Sequence, residues 1–140
     1  MKTNQEILKQ LEFFSDFSNE EIQKVIAAAE WVKAAPNERI ITEGEDDFYL
    51  YLLIKGQVSV FKNKKVLAIL KAGDIFGEIG ALAGNPRTAH VMAKDQCYCL
   101  RFDSKQINNM ETNLQLKFVK KILYTLAGRL VTLDRRFAAI

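Results

Sequence analysis

The residues of this chain that could do chemistry lie between Gly73 and Ala93, GDIFGEIGALAGNPRTAHVMA, and they favour a phosphate site. Gly77-Glu78-Ile79 has the pattern of the start of a very short helix, whose first N–H groups would be unpaired and free to face an anion. Asn85-Pro86 turns the chain, because a proline biases the residue before it away from the helical region. Arg87 thereby returns toward those N–H groups, and an arginine fork beside them is suited to a phosphate.

Glu78 has a different chemistry from the rest of this stretch, since a carboxylate beside a phosphate would repel it. It fits an acceptor for a hydroxyl group, such as the 2′-OH of a ribose. Glu78 and Arg87, nine residues apart, therefore predict a small phosphate ester that carries a sugar rather than a free phosphate.

Composition sets the frame for this site. The 140 residues fit one domain, and a hydrophobic content of 49% is enough for a core. The net charge of +3 is too small to argue for nucleic acid by itself. The start MKTNQEILKQ lacks the apolar core of a signal peptide, and no apolar run reaches the roughly 18 residues that a membrane span needs.

Two cysteines, Cys97 and Cys99, lie in an apolar run near the end of the strand-rich region. On a strand they would share one face with parallel side chains, which is a poor geometry for a disulfide. We interpret them as reduced cysteines in the core of a cytoplasmic protein. A metal site would need both cysteines and the single histidine, His90, to converge, and we do not predict one.

The elements that must position the site are helices at both ends and short strands between them. Ser18 to Glu21 has the pattern of a capping box that opens a helix reaching about Glu30. Seven or eight short strands with turns between them follow from Trp31 to Phe102, which is typical of a closed or two-sheet antiparallel roll. Three lysines between Lys62 and Lys65 indicate an exposed hairpin tip.

The last element is a predicted helix from Asn113 to about Ala139 with a heptad pattern. A seam without a polar break predicts a parallel two-stranded coil, with Arg129 and Asp134 at positions that pair across it. The alternative is that the helix only covers its own roll, since Phe118 and Ile122 widen its apolar face. The two interleaved heptad series are Leu116, Leu123, Leu130 and Phe137, and Val119, Leu126, Leu133 and Ile140.

Phe76 to Ala89, FGEIGALAGNPRTA, resembles the phosphate-binding cassette of cyclic nucleotide-binding domains. These domains occur in catabolite activator proteins, protein kinase A regulatory subunits and cyclic nucleotide-gated channels. The resemblance runs from about Leu11 to the end and implies a mainly β fold, an antiparallel jelly-roll-like β-roll with two N-terminal helices, a short cassette helix and a long C-terminal helix. It implies one domain over 1–140, with N-terminal helices in 1–30, the roll in 31–102, the cassette in 76–89 and C-terminal helices in 103–140.

The resemblance also implies a ligand inside the roll and assigns residues to its parts. It leaves open which polar residue of the last helix caps the base. The implied residues are Gly77, Ile79, Gly80 and Arg87 for the cyclic phosphate; Glu78 for the ribose 2′-OH; Thr88 and Ala89 for the phosphate and the base edge; Val60 and Leu67 for the apolar base pocket; and Arg129, Thr132 or Asp134 for the cap.

Two positions bear on how closely the chain follows the family. Asp47-Phe48 stands where the family usually has Gly-Asp, which affects the expected conformation of the 43–48 turn. A hydroxyl at Thr88 could bond the 2-amino group of a syn guanine, yet cAMP binders also accept a small hydroxyl residue there. The ligand is therefore expected to be cAMP or cGMP, with a slight preference for cAMP.

The resulting hypothesis is a cytoplasmic cyclic nucleotide sensor, not an enzyme, that signals to an unknown protein partner by movement of its last helix. Its own output domain is expected to be absent, and direct DNA binding is disfavoured, because the sequence ends at Ile140. The alternatives are a dimerisation module with a vestigial pocket and a fragment of a catabolite-activator-type transcription regulator. The predicted homodimer seam is Leu116, Val119, Leu123, Leu126, Leu130, Leu133 and Phe137.

Overall fold

Two four-stranded antiparallel sheets form the body of the protein. The computed structural model describes residues 2–138, without the side chains of 79, 82, 133, 134 and 136–138. The first sheet has the strand order β1-β8-β3-β6 and the second has β2-β7-β4-β5. The strands are β1 Glu30–Ala34, β2 Arg39–Ile41, β3 Leu50–Lys55, β4 Val58–Lys62, β5 Lys65–Leu70, β6 Ile75–Phe76, β7 His90–Ala93 and β8 Cys97–Phe102.

Five α-helices flank these sheets, so the predicted mainly β architecture with flanking helices is confirmed. Ser18 accepts the N–H of Glu21, whose carboxylate accepts the N–H of Ser18, as the predicted capping box requires. The two-residue β6, Ile75–Phe76, directly precedes Gly77 of the cassette. The helices are α1 Asn4–Lys9, α2 Asn19–Ala27, α3 Glu78–Ala83, α4 Ser104–Asn108 and α5 Thr112–Ala138, with a 3₁₀ turn at Glu12–Phe14.

The molecule has two apolar cores. One fills the space between the first sheet and the helices, and it contains the fully buried Phe14, Phe17, Phe102 and Phe118. The other lies between the two sheets, inside the roll, and includes the buried thiols of Cys97 and Cys99. Burial raises the pKa of Cys99 to about 12 and also raises the pKa of Cys97, so both remain protonated at neutral pH.

Helix α5 presents different apolar residues to its own body and to the outside. Its inward face buries Leu114, Phe118 and Ile122 in the core between the first sheet and the helices, as the alternative interpretation of this helix required. The predicted seam faces mainly outward, with exposed fractions of 54% at Leu116, 65% at Leu123 and 61% at Leu130. The packing of α5 against its own body therefore leaves these three seam leucines exposed, and dimerisation stays a prediction.

The remaining seam positions differ from one another. Val119 is 38% exposed, whereas Leu126 is partly buried and packs against the core of its own chain. The side chains at 133 and 137, and the whole of residue 140, lie outside the described residues. Leu126 therefore serves the body of this chain as well as the seam.

Ion pairs fasten the first half of α5 to the N-terminal helical region. Lys117 Nζ lies 3.0 Å from Glu21 Oε1, and Lys121 Nζ lies 2.9 Å from Asp16 Oδ2. A hydrogen bond from Lys121 and its charge lower the pKa of Asp16. The Ser18 N–H, followed by Lys117, lowers the pKa of Glu21.

These lowered pKa values predict a loss of stability in acid. A carboxylate whose folded pKa is depressed stabilises the fold above its unfolded pKa, and this contribution is lost as the pH falls through the folded value. We expect Glu21→Gln to flatten the dependence of the unfolding free energy on pH below about pH 4.5, with an amplitude under about 1 kcal/mol. Urea unfolding between pH 6 and 3 measures this. Lys117→Met should also flatten the dependence of the unfolding free energy on pH in this range. If this dependence is unchanged in both variants, the contact between Glu21 and Lys117 does not stabilise the fold.

The described residues were also compared with the patterns of a membrane-spanning helix and of a metal site. Within residues 2–138, no helix is both long and apolar enough to cross a membrane. No group of three or more histidine, cysteine or acidic side chains in the described part of the chain is placed to hold a metal ion. His90 stacks on Phe61 in the second sheet, whereas Cys97 and Cys99 belong to the first.

Candidate functional site

A cavity of about 230 Å³ opens inside the roll, between the second sheet, the cassette and α5. Its walls are apolar where the strands contribute and polar where the cassette and α5 meet them. Small-molecule sites have this composition, with a few placed polar groups in a mainly apolar wall. The apolar lining residues are Ile41, Val60, Ala68, Leu70, Phe76 and Val91.

Most of the residues predicted for the site line this cavity. They come from β4, from the cassette around α3 and from α5, three regions that are distant in sequence. The side chain of Ile79 and that of Asp134 lie outside the described residues. The predicted residues that the structure brings together are Val60, Gly77, Glu78, Gly80, Arg87, Thr88, Ala89 and Arg129.

Two predicted residues, Leu67 and Thr132, do not line the cavity. The prediction that Leu67 forms part of the base pocket is therefore wrong. Leu67 is 58% exposed, as are Val66 at 61% and Ile69 at 52% on the same strand. Val60 pairs with Ala68, which lines the cavity, and the register shift that follows leaves Leu67 without a partner on β4. Thr132 does not line the cavity either, and its hydroxyl donates to the carbonyl of Gly128 one turn earlier.

The cassette holds its shape through glycines that leave room for Arg87. Gly77 has a φ of 77° before α3, a left-handed conformation that suits glycine. A Cβ at Gly77 would lie 2.8 Å from Arg87 Nη1, and a Cβ at Gly80 would lie 2.9 Å from the same atom. Backbone oxygens are as close, Tyr49 O at 2.7 Å from the Gly77 position and Asp47 O at 2.9 Å from the Gly80 position, so both sites require glycine.

Arg87 is nearly completely buried, with 6% of its surface exposed. Its Nη1 donates to the Gly77 carbonyl at 2.7 Å, and its Nη2 donates to the Tyr49 carbonyl at 2.6 Å and to Asp47 Oδ1 at 3.0 Å. Its Nε has no hydrogen-bond partner among the described residues. Buried polar groups are normally paired, so this Nε–H is a donor that the described residues leave without an acceptor.

Asp47 is a charged partner of Arg87 that the sequence analysis missed. Its Oδ1 accepts from Arg87 Nη2 and also from the N–H of Tyr49 at 3.1 Å, so it fixes the guanidinium to the start of β3. The signal that could have identified it was the Asp47-Phe48 departure, which places an acid one position earlier than the family pattern. The turn supplies a partner for Arg87 from this position.

Arg129 connects α5 to the cassette across the mouth of the cavity. Its Nη1 lies 3.4 Å from Glu78 Oε1, and its Nη2 donates to the carbonyl of Ile75. The side chain of Glu78 is 15% exposed and that of Arg129 is 31% exposed, so the pair is partly shielded from solvent. Of the two polar candidates on α5 whose side chains are described, Arg129 and Thr132, Arg129 lines the cavity.

Comparison with known proteins agrees with this fold and site. Residues 31–113, more than half of the chain, match the sequence profile described as the cyclic nucleotide-binding domain. A cAMP-dependent protein kinase regulatory subunit from Hypocrea atroviridis is 36% identical over 86 residues, which are 61% of this chain and 19% of that protein. The human cyclic nucleotide-gated channel beta-1 is 33% identical over 113 residues, 76% of this chain and 9% of that protein.

A solved structure extends the agreement to almost the whole chain. The crystal structure of a cyclic nucleotide-binding domain from Methylobacillus flagellatus KT has a TM-score of 0.82 and 28% identity, covering 96% of this chain and 81% of that one. The chain belongs to the cyclic nucleotide-binding domain family. It spans less than a fifth of the length of the two curated relatives, which carry further regions.

Proposed function

We propose that the chain binds a cyclic nucleotide, cAMP or cGMP, in the cavity of the roll. The observation that carries this proposal is the buried Arg87, a lining residue of the cavity that lies against Gly77 and Gly80 and whose Nε–H has no partner among the described residues. A cyclic phosphate offers an acceptor and a negative charge to that group. The apolar walls around Val60 suit a flat base, and the family membership supports the same ligand class.

The charges of the site favour a monoanion over a free phosphate. Arg87 is paired with Asp47 and Arg129 with Glu78, so the charges of these four side chains sum to about zero. A dianion would face two nearby carboxylates with no surplus cation, which is unfavourable at short range. A cyclic phosphodiester carries one negative charge, and its ribose hydroxyl is a donor for Glu78.

We propose that the signal leaves the site through α5. Arg129 contacts both Glu78 and the Ile75 carbonyl, so a nucleotide that engages Glu78 alters the contact that holds the second half of this helix. A ligand with different affinity for two arrangements of α5 shifts their populations. A partner protein would read the change, which makes the chain a regulatory domain without its own catalysis.

Homodimerisation through α5 is a second part of the proposal. Leu116, Leu123 and Leu130 repeat every seven residues and are more than half exposed, although large exposed apolar residues are normally scattered rather than aligned. A second copy of the helix is the occupant that a heptad repeat fits. The same seam supports the alternative function of a dimerisation module with a vestigial pocket.

The domain boundaries and the compartment belong to the same proposal. We treat residues 1–140 as a single cyclic nucleotide-binding domain that acts in the cytoplasm, a setting that two buried free thiols fit. The transcription-regulator alternative needs a DNA-binding region beyond these residues. Gel-shift titration of the protein expressed from its whole gene distinguishes that alternative.

The ribose contact gives a direct test of the function. We expect cAMP to bind about tenfold to hundredfold more tightly than 2′-deoxy-cAMP, because a hydrogen bond to a charged acceptor is among the stronger ones. Glu78→Gln should weaken cAMP binding and narrow this discrimination. Equilibrium dialysis of both proteins with both nucleotides measures it. Equal affinity of the parent for the two nucleotides would contradict the assignment of Glu78 to the ribose hydroxyl.

A further inference from the structure

The segment from Glu43 to Asp47 holds Arg87 by its backbone as well as by its side chain. The N–H of Gly44 donates to the Arg87 carbonyl at 2.8 Å, and the Arg87 N–H donates to the Glu45 carbonyl at 3.0 Å. Asp47 then accepts from the guanidinium at 3.0 Å. Three hydrogen bonds from one short segment thus place the residue proposed to bind the phosphate.

This segment is fastened at its first residue by His90, the only histidine of the chain. The N–H of Glu43 donates to His90 Nδ1 at 3.1 Å. The imidazole stacks on Phe61, with ring centroids 5.0 Å apart and an interplanar angle of 28°, so its position is set by the second sheet. A ring nitrogen accepts a hydrogen bond only while it carries no proton, and the contact therefore requires neutral His90.

We propose that His90 is a positioning residue for Arg87 and makes nucleotide binding sensitive to pH. This inference rests on the proposed function. Protonation of His90 turns Nδ1 from an acceptor into a donor, which opposes the Glu43 N–H and releases the start of the 43–47 segment. Arg87 then loses part of its support, and the affinity for the nucleotide falls when His90 is protonated.

Charged groups of both signs lie on the elements that form this contact. Glu43, whose N–H donates to His90, has its carboxylate 3.8 Å from Lys62 Nζ of β4. Lys65 is paired with Lys62 in the β4–β5 hairpin. The competing outcome is that charged His90 draws in the Glu43 carboxylate and keeps the segment in place.

Calorimetric titration of the full chain with cAMP at pH 7.5 and 5.5 tests the proposal. We expect the parent to lose affinity roughly fivefold to tenfold at the lower pH, the scale of one hydrogen bond. His90→Asn keeps an acceptor oxygen near the Nδ1 position without a titrating group, so its affinity should stay near the parent value at pH 7.5 and vary little with pH. His90→Leu has no acceptor and should bind weakly at both pH values.

A measurement without ligand separates this proposal from the proposed function. Amide hydrogen exchange at Glu43 and Gly44, corrected for intrinsic rates, should accelerate at pH 5.5 relative to pH 7.5 in the parent but not in His90→Asn. If the parent binds neither cAMP nor cGMP, the proposed function fails, and the exchange rates still decide the role of His90. The proposal is overturned if the parent shows equal affinity and equal corrected exchange at both pH values, or if His90→Asn keeps the full pH dependence.

Discussion

Replacing Arg87 by alanine is expected to weaken cyclic nucleotide binding by about 100-fold or more. Truncating one partner of a buried, hydrogen-bonded charge pair costs about 2–5 kcal/mol, and each 1.4 kcal/mol is a factor of ten in affinity. Arg87 is 6% exposed and makes three hydrogen bonds to the protein, so the variant also leaves Asp47 with an unpaired charge. The loss therefore combines a missing phosphate contact with a loosened cassette.

Arg87→Lys separates these two contributions. Lysine keeps the positive charge but cannot donate in a fork, so it should lose the contacts to Gly77 and Tyr49 that orient the group. We expect an affinity between those of the parent and the alanine variant. Calorimetry gives the affinities, and thermal unfolding of each variant shows whether the fold persists. If folded Arg87→Ala binds as tightly as the parent, the phosphate has been assigned to the wrong residue.

Introducing a carboxylate into the α5 seam is expected to convert a dimer into a monomer. Leu123 is 65% exposed in the described chain, so Leu123→Asp does not disturb the protein's own core. In a coiled-coil dimer two such carboxylates would be buried against each other, and burying an unpaired charge is strongly unfavourable. Leu126→Asp is less informative, because Leu126 also packs against the core of its own chain.

Tyr124→Asp is the matched control for the seam. Tyr124 is 74% exposed on the same helix, one position after Leu123 and off the heptad series, so this variant carries the same charge without entering the seam. Sedimentation equilibrium should give a dimer for the parent and Tyr124→Asp, and a monomer for Leu123→Asp. A monomeric parent at high micromolar concentration would refute dimerisation through α5, whereas a dimeric Leu123→Asp would move the interface elsewhere.

Local patterns of residue type made much of the fold predictable. Ser18 and Glu21 at capping-box spacing indicated the start of α2, and alternating short strands between turns indicated an antiparallel roll. The cassette was readable because glycines, a proline and an arginine at fixed spacing limit the backbone to few shapes. Six of the eight predicted site residues that line the cavity belong to this cassette.

The parts that could not be predicted depend on register and on contacts between distant residues. Leu67 was assigned to the pocket by the family resemblance, but the register of β5 pairs Ala68 with Val60 and leaves Leu67 off the cavity lining. The pairing of Arg87 with Asp47 joins residues 40 positions apart, and that of Arg129 with Glu78 joins residues 51 positions apart. No local pattern encodes such pairs, since packing of the roll and α5 decides them.

Calorimetric titration of the unmodified 140-residue chain with cAMP and with cGMP at pH 7.5 tests the central claim most directly. The account predicts saturable binding of at least one of them at one site per chain, with 5′-AMP much weaker because its phosphate carries a second charge into a site of paired arginines. The contrary result is no heat of binding for either cyclic nucleotide up to about 1 mM, where even an affinity of about −4 kcal/mol would be detected. That outcome would leave α5, rather than the cavity, as the functional part of the chain.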